Sequence, residues 1–265
     1  MRLAVWDIRP CSLLFGSNDV HGIDVLYRKP GECKALLDSG EVDVALVAVN
    51  EVLRDVDEYN ILPQAVIAST ATFPYATLWL KGGVDGIRSV KVFEDHRQAG
   101  EVAEIILREE YGLEGSVRFG SVPSTNGSSP DAHVTLKDPT GDLEVDNRWL
   151  DIGQEWFELT SLPLVWGVFT VLARSEAGST FGDQMEAVVS GLELEGCVSG
   201  WLDAHPAMTS RERSALEGDL RFRFDDEVLA GLDVLAQYLF YYGKVDDIRT
   251  PRFSSPPESL RPADR

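Results

Sequence analysis

Runs of apolar residues of strand length alternate with stretches of helical spacing along this chain, and the alternation predicts an α/β protein. Arg2–Trp6 sets one charge against apolar bulk and reads as a first strand, ended at Pro10. Pro30–Ser39 (PGECKALLDS) reads as a short helix, with Pro at its start, Cys33, Leu36 and Leu37 at helical spacing, and Gly40 closing it. Val42–Val49 (VDVALVAV) is continuously apolar apart from Asp43, which suits a buried parallel strand. Strand, helix and strand in succession make a βαβ unit. Gln64–Ala68, Tyr75–Leu80, Val90–Phe93, Val117–Val122 and His133–Leu136 read as further strands, and Ser124–Asp131 as a polar loop. Arg97–Tyr111 reads as a helix with Ala99, Val102, Ile105 and Ile106 on one side, Glu101, Glu104, Arg108 and Glu109 on the other, and Gly112 as its cap. Leu162–Leu172 (LPLVWGVFTVL) is the longest apolar run and is too short to cross a membrane. Ser179–Ser190 and Asp225–Tyr242 are amphipathic helices.

Glycines mark two points, near Lys81–Gly86 and near Ala173–Ser179. If the apolar runs Tyr75–Leu80 and Leu162–Leu172 are crossings between lobes, the chain divides into a discontinuous first lobe, residues 1–83 plus 176–253, and a continuous second lobe, residues 84–175. A ligand would sit in the central cleft between them. Ser254–Arg265 (SSPPESLRPADR) reads as a disordered tail.

Composition narrows the classes of function. The formal net charge of −20 repels nucleic acid and anionic membrane, and neither is expected as a partner. A local anion site built from an Arg and a helix N-terminus works against that field. The start, MRLAVWDIRPCSLLFG, lacks the features of a secretory signal, so a cytoplasmic protein is expected. Cys11, Cys33 and Cys197 are scattered, as are His21, His96, His133 and His205, which argues against a disulfide framework or a structural metal. No glycine-rich phosphate loop or nucleophile-elbow motif is present, and no cofactor is expected. Oligomeric state is left open.

The segment Trp149–Thr170 (WLDIGQEWFELTSLPLVWGVFT) resembles the hallmark stretch of the chorismate dehydratases of the futalosine menaquinone pathway, D-L-G-x-x-W followed by L-T-G-L-P-F-V-F-A. Asp151, Ile152, Gly153, Trp156, Leu159, Thr160, Leu162, Pro163 and Val165 carry the match, with Ser161 where the family has Gly. Leu36–Val49, Val66–Ser69 and the closing YLFYY with Phe253 are similar to the family as well. The resemblance implies a two-lobed, type-2 periplasmic-binding-protein-like fold used as an enzyme scaffold. It implies a carbon–oxygen lyase that converts chorismate to 3-[(1-carboxyvinyl)oxy]benzoate without cofactor. A non-catalytic binder of a small carboxylate on the same fold, or a related lyase on another anion, stays open.

The candidate site follows from the same comparison. Asp7 stands where the family has an Asn before its Pro, and acts as an acid or base or is an ordinary loop acid; beside an anionic substrate it would have to be protonated or paired with Arg9. Asn50 ends a strand, where open α/β sheets bind ligands. Ser69, Thr70 and Thr72 form a hydroxyl-rich loop that binds a carboxylate or caps local backbone. Tyr75 takes the place of a family Ser. The family's Ser-Arg-Thr-Ser helix start is His96, Arg97, Gln98 and Ala99 here. Arg97 suits a bidentate grip on a carboxylate, His96 proton donation or an N-cap, and Gln98 a hydrogen bond. Asp138 falls in the family's I-G-D turn, and Trp149, Trp156 and Trp166 read as packing.

Overall fold

The computed structural model describes residues 1–16, 22–113, 118–120, 130–139, 148–175, 178–192 and 197–255. The expected tail from 256 onward, most of the Ser124–Asp131 loop and the ends of the Val117–Val122 strand lie outside the described residues. The chain opens with β1 (Arg2–Trp6), α1 (Arg9–Phe15), β2 (Asp24–Arg28), α2 (Pro30–Asp38), β3 (Val44–Ala48), α3 (Val49–Arg54) and β4 (Tyr59–Ser69). It continues through β5 (Ala76–Leu80), β6 (Ser89–Lys91), α4 (Arg97–Glu109), β7 (Arg118–Gly120), β8 (Ala132–Leu136), β9 (Trp149–Asp151) and α5 (Ile152–Thr160). It returns as β10 (Leu164–Leu172) and finishes with α6 (Gly178–Leu192), α7 (Cys197–Ala204), α8 (Ser210–Ser214), β11 (Leu220–Arg221) and α9 (Asp226–Tyr241).

Among the described residues these strands form two sheets, ordered β11-β4-β10-β3-β1-β2 and β7-β6-β8-β5-β9. β1 pairs in parallel with both β2 and β3, which explains why its residues Leu3–Trp6 and the whole of β3 up to Val47 are apolar and buried. β10 lies between β3 and β4, antiparallel to both. Pro63 falls where β4 and β10 break register, a position that tolerates a residue without a backbone donor.

Three expectations change. Pro10 does not simply stop β1; it opens α1, where a missing N–H leaves nothing unsatisfied. Tyr75–Leu80 and Leu162–Leu172 are strands within one sheet each, β5 in the second and β10 in the first. The chain changes sheet between Ser69 and Ala76 and again between Asp151 and Leu164, so the boundaries at 83/84 and 175/176 do not follow sheet membership. An apolar run is buried whichever sheet it joins, so periodicity finds the strand without naming its partners. Glu101 and Glu104, on the supposed solvent side of α4, are buried because α3 and the end of α9 cover them with Arg54 and Lys244.

Asp151 ties the two changes of sheet together. It caps α5 by accepting from the N–H groups of Gly153 at 2.9 Å and Gln154 at 3.1 Å. It also accepts from Phe73 N, in the other connection, at 3.0 Å and from Arg211 Nη2 at 2.9 Å. Gly153 follows because a Cβ there would stand 2.6 Å from Ala71 O and 2.8 Å from Phe73 Cβ. The Asp-Ile-Gly of the hallmark stretch is therefore a junction, with the acid as clamp and the glycine as the place where the two connections touch.

Candidate functional site

A cavity of about 220 Å³ opens between the sheets. Its floor is the C-terminal end of β1 and β3, with Trp6, Val47 and Ala48, joined by Trp166 of β10. One wall is the start of α2, with Pro30, Gly31 and Lys34, and Asn50 and Glu51 of α3. The facing wall is the turn into α4, Glu94–Ala99, with Leu136 of β8. The placement has a local cause: α3 starts directly at the end of β3, and a tight turn at Glu94–His96 aims the first residues of α4 at the same point.

Four of the ten candidate residues meet here: Asn50, His96, Arg97 and Gln98. Asn50 is fully buried, and its Nδ2 donates to Glu101 Oε2. Gln98 Nε2 donates to Val165 O at 2.8 Å, across the two sheets. The carbonyl oxygens of both amides are buried without a hydrogen-bond partner. His96 is the N-cap of α4, and its Nδ1 lies 3.3 Å from Val134 O. A carbonyl accepts only, so Nδ1 carries the proton and Nε2 is left as the acceptor. Burial lowers the His96 pKa below 6.5, partly offset by that bond, which keeps the ring neutral near pH 7.

Arg97 reaches the cavity with its guanidinium turned toward two internal carboxylates, Glu101 at 3.2 Å and Glu51 at 3.6 Å. The helix explains it, since residues four apart share a face. The other six candidates are not among the cavity's lining residues. Asp7 is exposed, and its N–H donates to Arg28 O at 2.9 Å. Arg9 does not pair with Asp7. It pairs with the fully buried Glu212 of α8, and its N–H donates to Asp138 Oδ1 at 2.9 Å, with Nε 3.7 Å from Oδ2. Burial raises the Asp138 pKa, with Arg9 opposing the shift. Ser69 Oγ accepts from Trp166 Nε1 at 3.0 Å, Thr70 Oγ1 accepts from Arg221 Nε at 2.8 Å, and Thr72 is half-buried in the connection to β5. Tyr75, fully buried near Arg9, Asp138 and Glu212, has a hydroxyl with no partner.

Trp156 packs edge-on against Tyr238, centroids 5.6 Å apart, and Trp149 lies under Arg211 at 4.4 Å. Trp166 does two things: it stacks on Phe73 at 4.3 Å and lines the cavity. Glu51, Glu101, Lys34 and Trp6 were not legible as site residues. Acids at helical spacing read as a solvated face, and only the pairing of Asn50 with a buried Glu in a distant helix marks them out. Among the described residues no cluster of His, Cys, Asp and Glu could hold a metal ion, and no helix is long and apolar enough to cross a membrane. Cys11 and Cys33 are buried free thiols, and Cys197 is half-buried.

The fold has clear relatives among solved structures. Protein AF1704 from Archaeoglobus fulgidus superposes with a TM-score of 0.66 at 15% identity, covering 92% of this chain and 98% of its own. The CA3427 gene product of Candida albicans, described as having the generic periplasmic binding protein fold, gives 0.60 at 10% identity over 93% and 91%. The alkanesulfonate-binding protein SsuA from Xanthomonas axonopodis pv. citri, bound to MOPS, gives 0.57 at 13% over 96% and 95%. At these identities the likeness is one of fold. A curated chorismate dehydratase from Thermus thermophilus is 26% identical over 171 residues, 57% of this chain and 62% of that protein's length. A sequence model described as menaquinone biosynthesis matches residues 1–240, which takes in both sheets and every residue lining the cavity. The chain belongs to the menaquinone biosynthesis family, built on a two-lobed periplasmic-binding-protein-like fold.

Proposed function

We propose that the chain is a chorismate dehydratase or close relative, acting in the cytoplasm on chorismate held in the cavity between its sheets. The family match over residues 1–240 carries the reading. Chorismate loses its ring hydroxyl and a ring proton as water, and aromatisation to 3-[(1-carboxyvinyl)oxy]benzoate supplies the driving force. The protein's work is orientation and the handling of one proton. His96 Nε2 is the acceptor for that proton, since the ring is neutral and its other nitrogen is committed to Val134 O. Asn50 and Gln98 orient the ring from opposite walls. Arg97, more than half exposed, turns from Glu51 to a substrate carboxylate. Asp7 and Asp138 stand as acids outside the cavity, and Arg9, Ser69, Thr70 and Thr72 support the framework around it. The lobes of the proposal follow the sheets, residues 1–69 with 164–253 and residues 76–151.

Incubation of the purified protein with chorismate, followed by ultraviolet absorbance, is expected to show ring aromatisation. Absence of turnover with thermal stabilisation by chorismate would replace the lyase with a second reading, a binding protein for a small carboxylate. Arg97, the arginine that lines the cavity, already holds Glu101, so a substrate carboxylate has to compete with an internal one in either reading. Absence of both turnover and stabilisation removes chorismate from either reading.

A further inference from the structure

We infer that β2 is the interface of a two-fold dimer, in which its outer edge pairs antiparallel with the β2 of a second copy of this chain. β2 ends the first sheet, and among the described residues no strand lies on its outer side. The opposite end of that sheet is blunted by length, since β11 has 2 residues, whereas β2 has 5 in unbroken register with β1. Val25, Leu26 and Tyr27 all pack against the core, yet all three are only half-buried, while Leu3–Trp6 of the neighbouring β1 is buried throughout. Successive side chains of a strand point to opposite faces, so exposure shared by all three enters through the edge and not through one face.

The backbone fixes which groups the edge offers. Asp24 N donates to Met1 O, and Arg28 O accepts from Asp7 N, so both ends of β2 turn their backbone groups toward β1. Alternation gives Leu26 the same direction and turns the N–H and C=O groups of Val25 and Tyr27 outward. Tyr27 O accordingly accepts from the Arg28 side chain, Nη1 at 2.7 Å. The edge, Asp-Val-Leu-Tyr-Arg, complements itself when laid against a reversed copy. With the two-fold axis at Leu26, Val25 faces the copy's Tyr27 and exchanges two backbone hydrogen bonds with it, and the same pair repeats across the axis. Asp24 then faces the copy's Arg28, an opposite-charge pair at each end of the joint strand. One acid and one base leave the edge neutral in a chain of net charge −20, and a second copy matches it in both hydrogen bonds and charge. Repulsion between the remaining surfaces is screened beyond about 8 Å at physiological salt.

Sedimentation equilibrium of the full chain, at about 100 μM and about 150 mM salt, is expected to show a dimer. Val25→Pro removes one outward N–H from each strand and no bond to β1, and is expected to weaken the dimer about tenfold with the circular dichroism spectrum unchanged. Asp24→Arg sets like charges opposite each other and is expected to weaken it as well. Asp24→Arg combined with Arg28→Asp restores the pairs in the reversed sense and is expected to recover the dimer. A monomeric wild-type protein overturns the inference with no variant needed. A dimer indifferent to both Val25→Pro and Asp24→Arg also overturns it, since that dimer is built on another face. If Val25→Pro fails to fold, the exposed charge pair decides: recovery in the double variant supports the strand register, and no recovery overturns it. None of these measurements involves chorismate, so the dimer stands or falls apart from the proposed function.

Discussion

At the scale of single residues, Asp151 concentrates the most structure. Its carboxylate serves three backbone N–H groups and Arg211, and it is 3% exposed. Arg211 is one-third exposed, so solvent takes over much of its charge when the acid is removed. The three stranded N–H groups set the cost, and Asp151→Ala is expected to lose about 2–3 kcal/mol in urea unfolding. A loss under about 0.5 kcal/mol would mean that water reaches those groups. His96 gives a pH signature with a definite sign. Its folded pKa lies below 6.5, so the unfolded chain takes up the proton first. The stability linked to the neutral ring is present above pH 6.5 and is lost as pH falls through that value toward the lowered folded one. Melting temperatures measured on either side of that value are expected to drop more steeply for the wild type than for His96→Gln. Asn50 was offered by its place at a strand end, and His96, Arg97 and Gln98 by the helix start of the resembled family; all four line one cavity. The partners of Arg9 and Arg97 were not legible: a guanidinium finds its carboxylate through space, and Glu212 lies 203 residues from Arg9.

At the scale of elements, close approach decides several residues. A Cβ on Gly231 in α9 would stand 2.1 Å from Pro163 O, at the entry to β10. Gly231→Ala is expected to push α9 off β10 and lose about 1–3 kcal/mol, read in urea unfolding. Ser161 tests the opposite direction. It ends α5 in the left-handed region, at φ 57° and ψ 23°, where the resembled family has Gly. Ser161→Gly is expected to raise stability by about 1 kcal/mol, and a fall would show that the Ser side chain holds the turn. The long elements were readable, because β1, α2, α4 and α9 carry clear periodicity over most of their length. α1, α3, α7 and α8 were not, being one or two turns each and held by the sheets beneath them. β10 was readable as a strand and unreadable as a neighbour of β3, since both its faces are covered.

At the scale of the whole molecule, the charge of −20 acts on a structure whose lobes are joined by ion pairs. Lys29 meets Asp95 at 3.3 Å, Arg54 meets Glu101, and Lys244 meets Glu104 at 2.6 Å. Repulsion over the surface is spread across long distances and is screened by salt, whereas the buried pairs of Glu101 and Glu104 are screened less. The first effect dominates, so the melting temperature is expected to rise between about 50 mM and about 500 mM sodium chloride. A fall would give the lead to the pairs between the lobes.

The insertion of β10 between β3 and β4 also sets an order in time. When residues 1–151 have been synthesised, all five strands of the second sheet exist, and that sheet is contiguous in the chain. The first sheet at that moment lacks β10 and β11, so β3 presents an unpaired apolar edge and β4 is joined to neither neighbour until Leu164–Leu172 arrives. Such edges are templates for pairing with other chains. Fragments truncated before Leu164 are therefore expected to aggregate, because the first sheet cannot close on β10 until the chain has passed through the whole of the second.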